Sequence, residues 1–79
     1  MPRYHFNTSD GRSACDPTGV ECADLIGAKR LAVRFAGAML PEIADEIFDT
    51  DFRLEVTNDA GLTLFSILVV GTDAPAVKS

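Results

Sequence analysis

Apolar positions recur in different rhythms along this chain, and each rhythm predicts an element. Near the start, Arg3, His5 and Asn7 alternate with Tyr4, Phe6 and Thr8, a period of two that gathers the aromatics on one face of a strand. Asp10-Gly11 follows, and such a pair suits a two-residue hairpin turn because both central positions take positive φ. Ser13-Ala14-Cys15 is then the short returning strand, with Phe6 opposite Cys15. Asp16-Pro17-Thr18-Gly19 reads as a second turn, the proline presetting φ at its second position. Val20 and Glu21 lead from there toward a helix.

From Leu25 to Leu40 the rhythm is helical. At about 100° per residue, Leu25, Ala28, Ala32, Ala36 and Met39 fall on one side, flanked by Phe35 and Leu40. Arg30 and Arg34 fall opposite, and Asp24 is the expected N-cap. Ile43 and Ile47 continue the apolar side, which extends the helical region to about Phe48. Pro41 interrupts it. An interior proline loses a backbone hydrogen bond and clashes with the preceding turn, at a cost of about 3 kcal/mol. The helix is therefore expected to kink at Pro41 or to split there, with Pro41 opening a second segment.

Period two then returns, with Phe52, Leu54 and Val56 set against Arg53, Glu55 and Thr57. Asn58-Asp59-Ala60-Gly61 makes a turn whose glycine is placed for a bulge, and Leu62 to Val70 is the return strand. Pairing Asn58 with Leu62 sets Val56 against Leu64 and Leu54 against Ser66. The inner face becomes Phe52, Leu54, Val56, Leu64, Leu68 and Val70, and Thr63, Phe65, Ile67 and Val69 point outward. The expected fold is α+β: a β-hairpin, a helix and a second β-hairpin, with one antiparallel sheet covered on one face by the helix. Residues 1–71 form the single domain, and 72–79 are a flexible C-terminal tail.

That outward row sets the functional expectation. Phe65, Ile67 and Val69 lie on a face that one helix cannot cover; either the register is off by one, or the tail or the Pro41 segment folds over them, or the row marks a protein interface, most simply a homodimer. Size points the same way. A chain of 79 residues buries only about 60–65% of its unfolded surface, so association supplies burial that one copy lacks. The expectation is a non-enzymatic module that binds itself or another protein. An antitoxin-like regulatory protein acting through a partner is the alternative. A small-molecule binder would need a pocket between helix and sheet, where Ala28, Ala32 and Ala36 predict close packing.

Charge and chemistry narrow the classes further. With a net charge of −5, the chain lacks the Lys and Arg excess that phosphate contacts require, so no nucleic acid partner is expected. Membrane surfaces are disfavoured for the same reason. Lys29, Arg30 and Arg34 form a weak basic stripe that reads as a solvated helix face. The opening has no apolar stretch of signal-peptide length. The longest apolar run, residues 62–71, is broken by Thr63 and Ser66 and is too short to span a bilayer. The expected compartment is cytoplasmic, with Cys15 and Cys22 as free thiols. His5, the single histidine, does not face Cys15, so no Cys-His pair or metal set forms. The acids between Glu42 and Asp51 lack calcium-loop spacing. No catalytic residue, metal site or cofactor is expected.

Four stretches carry a resemblance: "MPRYHF" at the start, the "DG" turn, "DPTGVE" before the helix, and "FRLEVTNDAGLTLF" at the end. Together they resemble short alphaproteobacterial proteins that begin Met-Pro-Arg-Tyr-Phe-Phe and are classed as a domain of unknown function. The resemblance covers all but the last eight or nine residues. It implies a bacterial cytoplasmic protein and the same element order, and it brings no activity. His5 stands where those proteins have an aromatic, which speaks against a catalytic role.

Overall fold

The computed structural model describes residues 1–78. Five strands form one antiparallel sheet: β1 (Arg3–Ser9), β2 (Ser13–Ala14), β3 (Val20–Glu21), β4 (Phe52–Thr57) and β5 (Thr63–Val69). The order is β2-β1-β4-β5, with β3 also beside β1 on the β2 side. Helix α1 (Leu25–Met39) packs on one face, and a short α2 (Pro75–Lys78) follows the sheet. The opening residues are thus the first strand of an α+β fold.

Strand alternation and helix periodicity meet in the core. Tyr4 and Phe6 of β1 and Phe52, Leu54 and Val56 of β4 are buried on the helix side. Ala28, Ala32 and Ala36 are buried opposite them, and their small side chains let the helix backbone approach the sheet closely. Asp24 caps α1, its Oδ1 accepting the Gly27 N–H at 2.8 Å. Ile43 is buried, and Leu31, Met39, Leu40 and Ile47 pack around this centre.

At Pro41, α1 passes directly into a 3-10 helix, Leu40–Ile43, with the proline in its first turn. A missing N–H matters least there. Leu40 keeps right-handed helical backbone angles and still donates to the Ala36 carbonyl. Turns closed on the Ile43 and Glu46 carbonyls carry the chain on to Thr50. In the segment where a flexible tail was expected, Pro75–Lys78 form a helical turn; Ser79 lies outside the described residues.

Three expectations are corrected. Val20 and Glu21 do not simply approach the helix but form β3, pairing with Tyr4 and Arg3. The Asp10-Gly11 turn has three residues rather than two: Ser9 pairs with Ser13 and Thr8 with Ala14, Gly11 taking φ +97°. Phe6 therefore does not face Cys15. The third correction reverses a strand. Thr57 pairs with Thr63, as expected from the turn, but Val56 pairs with Phe65 and Leu54 with Ile67. An extra residue, Leu64, is accommodated in a bulge, and beyond it every β5 side chain swaps faces. Phe65, Ile67 and Val69 point toward the helix and pack partly buried against the core. Leu64, Ser66, Leu68 and Val70 are the outward set.

Candidate interaction surface

The two edges of the sheet are built in opposite ways. On the β1 side, the strand edge is closed piece by piece. β3 covers Arg3 and Tyr4, and β2 covers Thr8 and Ser9. The gap between them is filled by Asp16. Its Oδ2 accepts the Phe6 N–H at 3.2 Å and its Oδ1 accepts the Gly19 N–H at 3.0 Å. Its own N–H donates to Asn7 Oδ1 at 2.9 Å. A carboxylate thus stands where a neighbouring strand's carbonyl would be. Burial alone would push the Asp16 carboxyl up, but the N–H donors of Gly19 and Phe6, with the nearby His5 and the Thr18 N–H, hold it below the usual range.

His5 ties this closed edge to the opposite hairpin. Its Nδ1 donates to the Asp16 carbonyl and its Nε2 to Asp59 Oδ1, each at 2.8 Å. Both partners are acceptors, so only the doubly protonated ring satisfies both contacts. The Asp59 carboxylate first, then the Asp16 carbonyl, hold its pKa above 6.5. Gly19 takes φ +75° below the ring, and a Cβ there would lie 2.8 Å from Arg3 Cγ and 3.0 Å from the His5 ring. Arg3 adds contacts to the Thr18 carbonyl at 3.0 Å and to Glu21 at 3.3 Å.

The β5 side carries no such closure among the described residues. β5 ends the sheet with seven residues, "TLFSILV", free of the Lys, Glu or Pro that protect natural edges. No charged residue stands between Asp59 and Asp73. On the outward face Leu64 is 41% exposed, Leu68 52% and Val70 51%. On the helix side, Phe65, Ile67 and Val69 are half-buried because no further strand flanks them. The strand is thus apolar on both faces and bonded on one edge.

The remaining candidates stand apart from this edge. Lys29 leans over the Phe65 ring, its Nζ 5.9 Å from the centroid; Arg30 and Arg34 stand exposed on α1. Cys15 is an exposed free thiol and Cys22 a buried one. Among the described residues, no group of His, Cys, Asp or Glu gathers as a metal site, and no helix is long and apolar enough to cross a membrane. Close packing under the three alanines holds, but on the adjacent helix face a groove of about 390 Å³ opens between Leu31, Phe35, Phe6, Val20, Cys15 and Pro17. The sequence carries no periodic signal for it, because its far wall is the irregular chain between β2 and β3.

A sheet with one closed edge, one open apolar edge and a helix on one face defines a small α+β module. Residues 3–70 match the family described as "Domain of unknown function (DUF6894)", and the chain belongs to that family. No curated protein and no solved structure matched it.

Proposed function

We propose that this protein is a non-enzymatic interaction module that self-associates through its open β5 edge. The contrast between the two edges carries the reading. One edge is closed by two short strands, a carboxylate and a histidine bridge, and the other is left long, uncharged and apolar on both faces. An edge of that kind pairs with another strand, and a second copy is the simplest partner for a domain this small. Phe65, Ile67 and Val69 enter the contact from the helix side, and Leu64, Leu68 and Val70 from the other. The single histidine serves as a bridge with both ring nitrogens engaged, which supports a role in binding rather than catalysis. The free thiols fit a cytoplasmic setting, and the acidic balance fits partners other than nucleic acid.

Leu68→Lys tests the reading, since lysine is the guard that natural edges carry. Full burial of a leucine contributes about 1.5–3 kcal/mol, so burying its half-exposed surface contributes about 1 kcal/mol per copy and about 2 kcal/mol per dimer. The substitution should weaken association at least about 30-fold and leave the monomer's thermal unfolding almost unchanged. Equal association of both proteins in sedimentation equilibrium would exclude this edge. The groove beside Phe35 favours a second reading, a binder of small apolar molecules. A rise in melting temperature across a panel of such compounds, lost in Leu31→Lys, would support it.

A further inference from the structure

Helix α1 has two flanks, and they face opposite edges of the sheet. Leu31 and Phe35 look toward the closed edge, where they line the groove with Phe6, Val20 and Pro17. Lys29 settles the other flank, since its Nζ stands over the Phe65 ring of β5. At about 100° per residue, Ile26, Val33 and Leu40 recur every seventh position on that same side. Ile26 and Val33 are 61% and 63% exposed, more than any apolar side chain of β5. The solvent side of a surface helix is ordinarily charged or polar, so a single copy gives this row no partner. Resting on the self-association proposed above, we infer that α1 packs antiparallel against α1 of the second copy, with Ile26 and Val33 in the contact.

The reach of the helix fits. A two-fold axis perpendicular to a joined sheet puts both helices on one face and runs them antiparallel, whatever the register of the two strands. Helix α1 lies across β4 and β5. Neighbouring strands are about 4.8 Å apart, so each helix stands about 5 Å from the axis and the two about 10 Å from each other. Packed helices lie about 8–10 Å apart. Size calls for the added surface, because stable interfaces engage about 20–30 residues a side and β5 offers seven.

Charge selects a second copy as the occupant. Helix α1 runs the same way as β5: Lys29 in its second turn stands over Phe65. Phe48, past its end, lies against Gly71, where a Cβ would come within 3.0 Å of the ring. Along that line the charges are segregated, with Lys29, Arg30 and Arg34 on α1 and Glu42, Asp45, Glu46 and Asp49 after it. Antiparallel helices set the basic stretch of each copy beside the acidic stretch of the other. That arrangement offsets the repulsion between two chains of net charge −5.

Val33→Lys and Ile26→Lys each put a charge into this contact, and Ala38→Lys puts the same charge on the opposite flank, at another exposed position. Each full-length protein is taken through sedimentation equilibrium from micromolar to millimolar concentration, with thermal unfolding at the lowest concentration to compare the monomers. All should unfold as wild type does when dilute. Val33→Lys should weaken association about 30-fold, the effect of withdrawing one largely exposed valine per copy from burial. Ile26→Lys should weaken it in the same sense, and Ala38→Lys should leave it as in wild type. A wild-type dimer that Val33→Lys and Ile26→Lys leave as tight as Ala38→Lys does overturns the helix contact and leaves self-association standing. A wild-type chain that stays monomeric overturns both.

Discussion

Asp16→Ala isolates the device that closes one edge of the sheet. The wild-type carboxylate accepts N–H groups from Phe6 and Gly19 at 3.2 and 3.0 Å, and both bonds are lost in the variant. A hydrogen bond to a charged group contributes about 1.5–3 kcal/mol. Because Asp16 is only partly buried, water replaces some of that, and the lower end applies to each bond. The expected loss is about 2–4 kcal/mol. For a chain of this size, total stability is about 4–12 kcal/mol, and each kcal/mol moves the melting temperature by about 4–8 °C. Thermal unfolding followed by circular dichroism should therefore show a fall of about 10–25 °C. Asp16→Asn should fall between, since one amide oxygen still accepts and the amide nitrogen cannot. The pH dependence has a definite sign. The folded-state pKa of Asp16 is depressed, so its stabilisation is present above the unfolded value of 3.8 and is lost as pH falls through the lower folded value. The gap between wild type and Asp16→Asn should close in that acid window. If Asp16→Ala melts within about 0.5 kcal/mol of wild type, an ordinary surface change, the carboxylate does not close the edge.

Two further perturbations probe the same region. His5 has a folded pKa raised above 6.5, so the stability it contributes is present below 6.5 and is lost as pH rises through the folded value. Urea titrations across that window should show wild type losing stability relative to His5→Phe, and parallel profiles would refute the doubly protonated bridge. Gly19→Ala and Gly61→Ala both force an alanine into positive φ, about 1–2 kcal/mol each. Only Gly19 also meets Arg3 and His5, whereas a Cβ at Gly61 enters open space. Gly19→Ala should be the more destabilising in chemical denaturation, and equal effects would mean that the His5 ring and Arg3 move aside freely.

How much of this was legible beforehand depends on the range over which each feature acts. β1, α1 and β4 declare themselves by local period, and Asp24 by its place before the first helical turn. Val20 and Glu21 carry no period of their own, because two residues make a strand only when Arg3 and Tyr4 lie beside them. The faces of β5 are reversed from the expected ones. Gly61 signals a bulge near the turn, but the extra residue is taken up at Leu64, after Thr63 has already paired as the turn dictates. With apolar side chains at Leu64 through Val70 on both faces, nothing in the strand itself selects a register. The outward row is therefore the leucines, and substituting Phe65 would disturb the core together with the edge. That the last strand is apolar on both sides was legible; which of its side chains face outward was not. The roles of Asp16 and His5 escape a linear reading because the contacts that define them are distant, Asp16 and Phe6 being separated by 10 positions and His5 and Asp59 by 54.

The mass of the unmodified chain in solution asks most directly whether two copies meet. Sedimentation equilibrium from micromolar to millimolar concentration should give twice the 8.5 kDa of one chain, with dissociation on dilution and little growth beyond two copies. A mass that stays at 8.5 kDa over the whole range would contradict the open edge as a site of self-association.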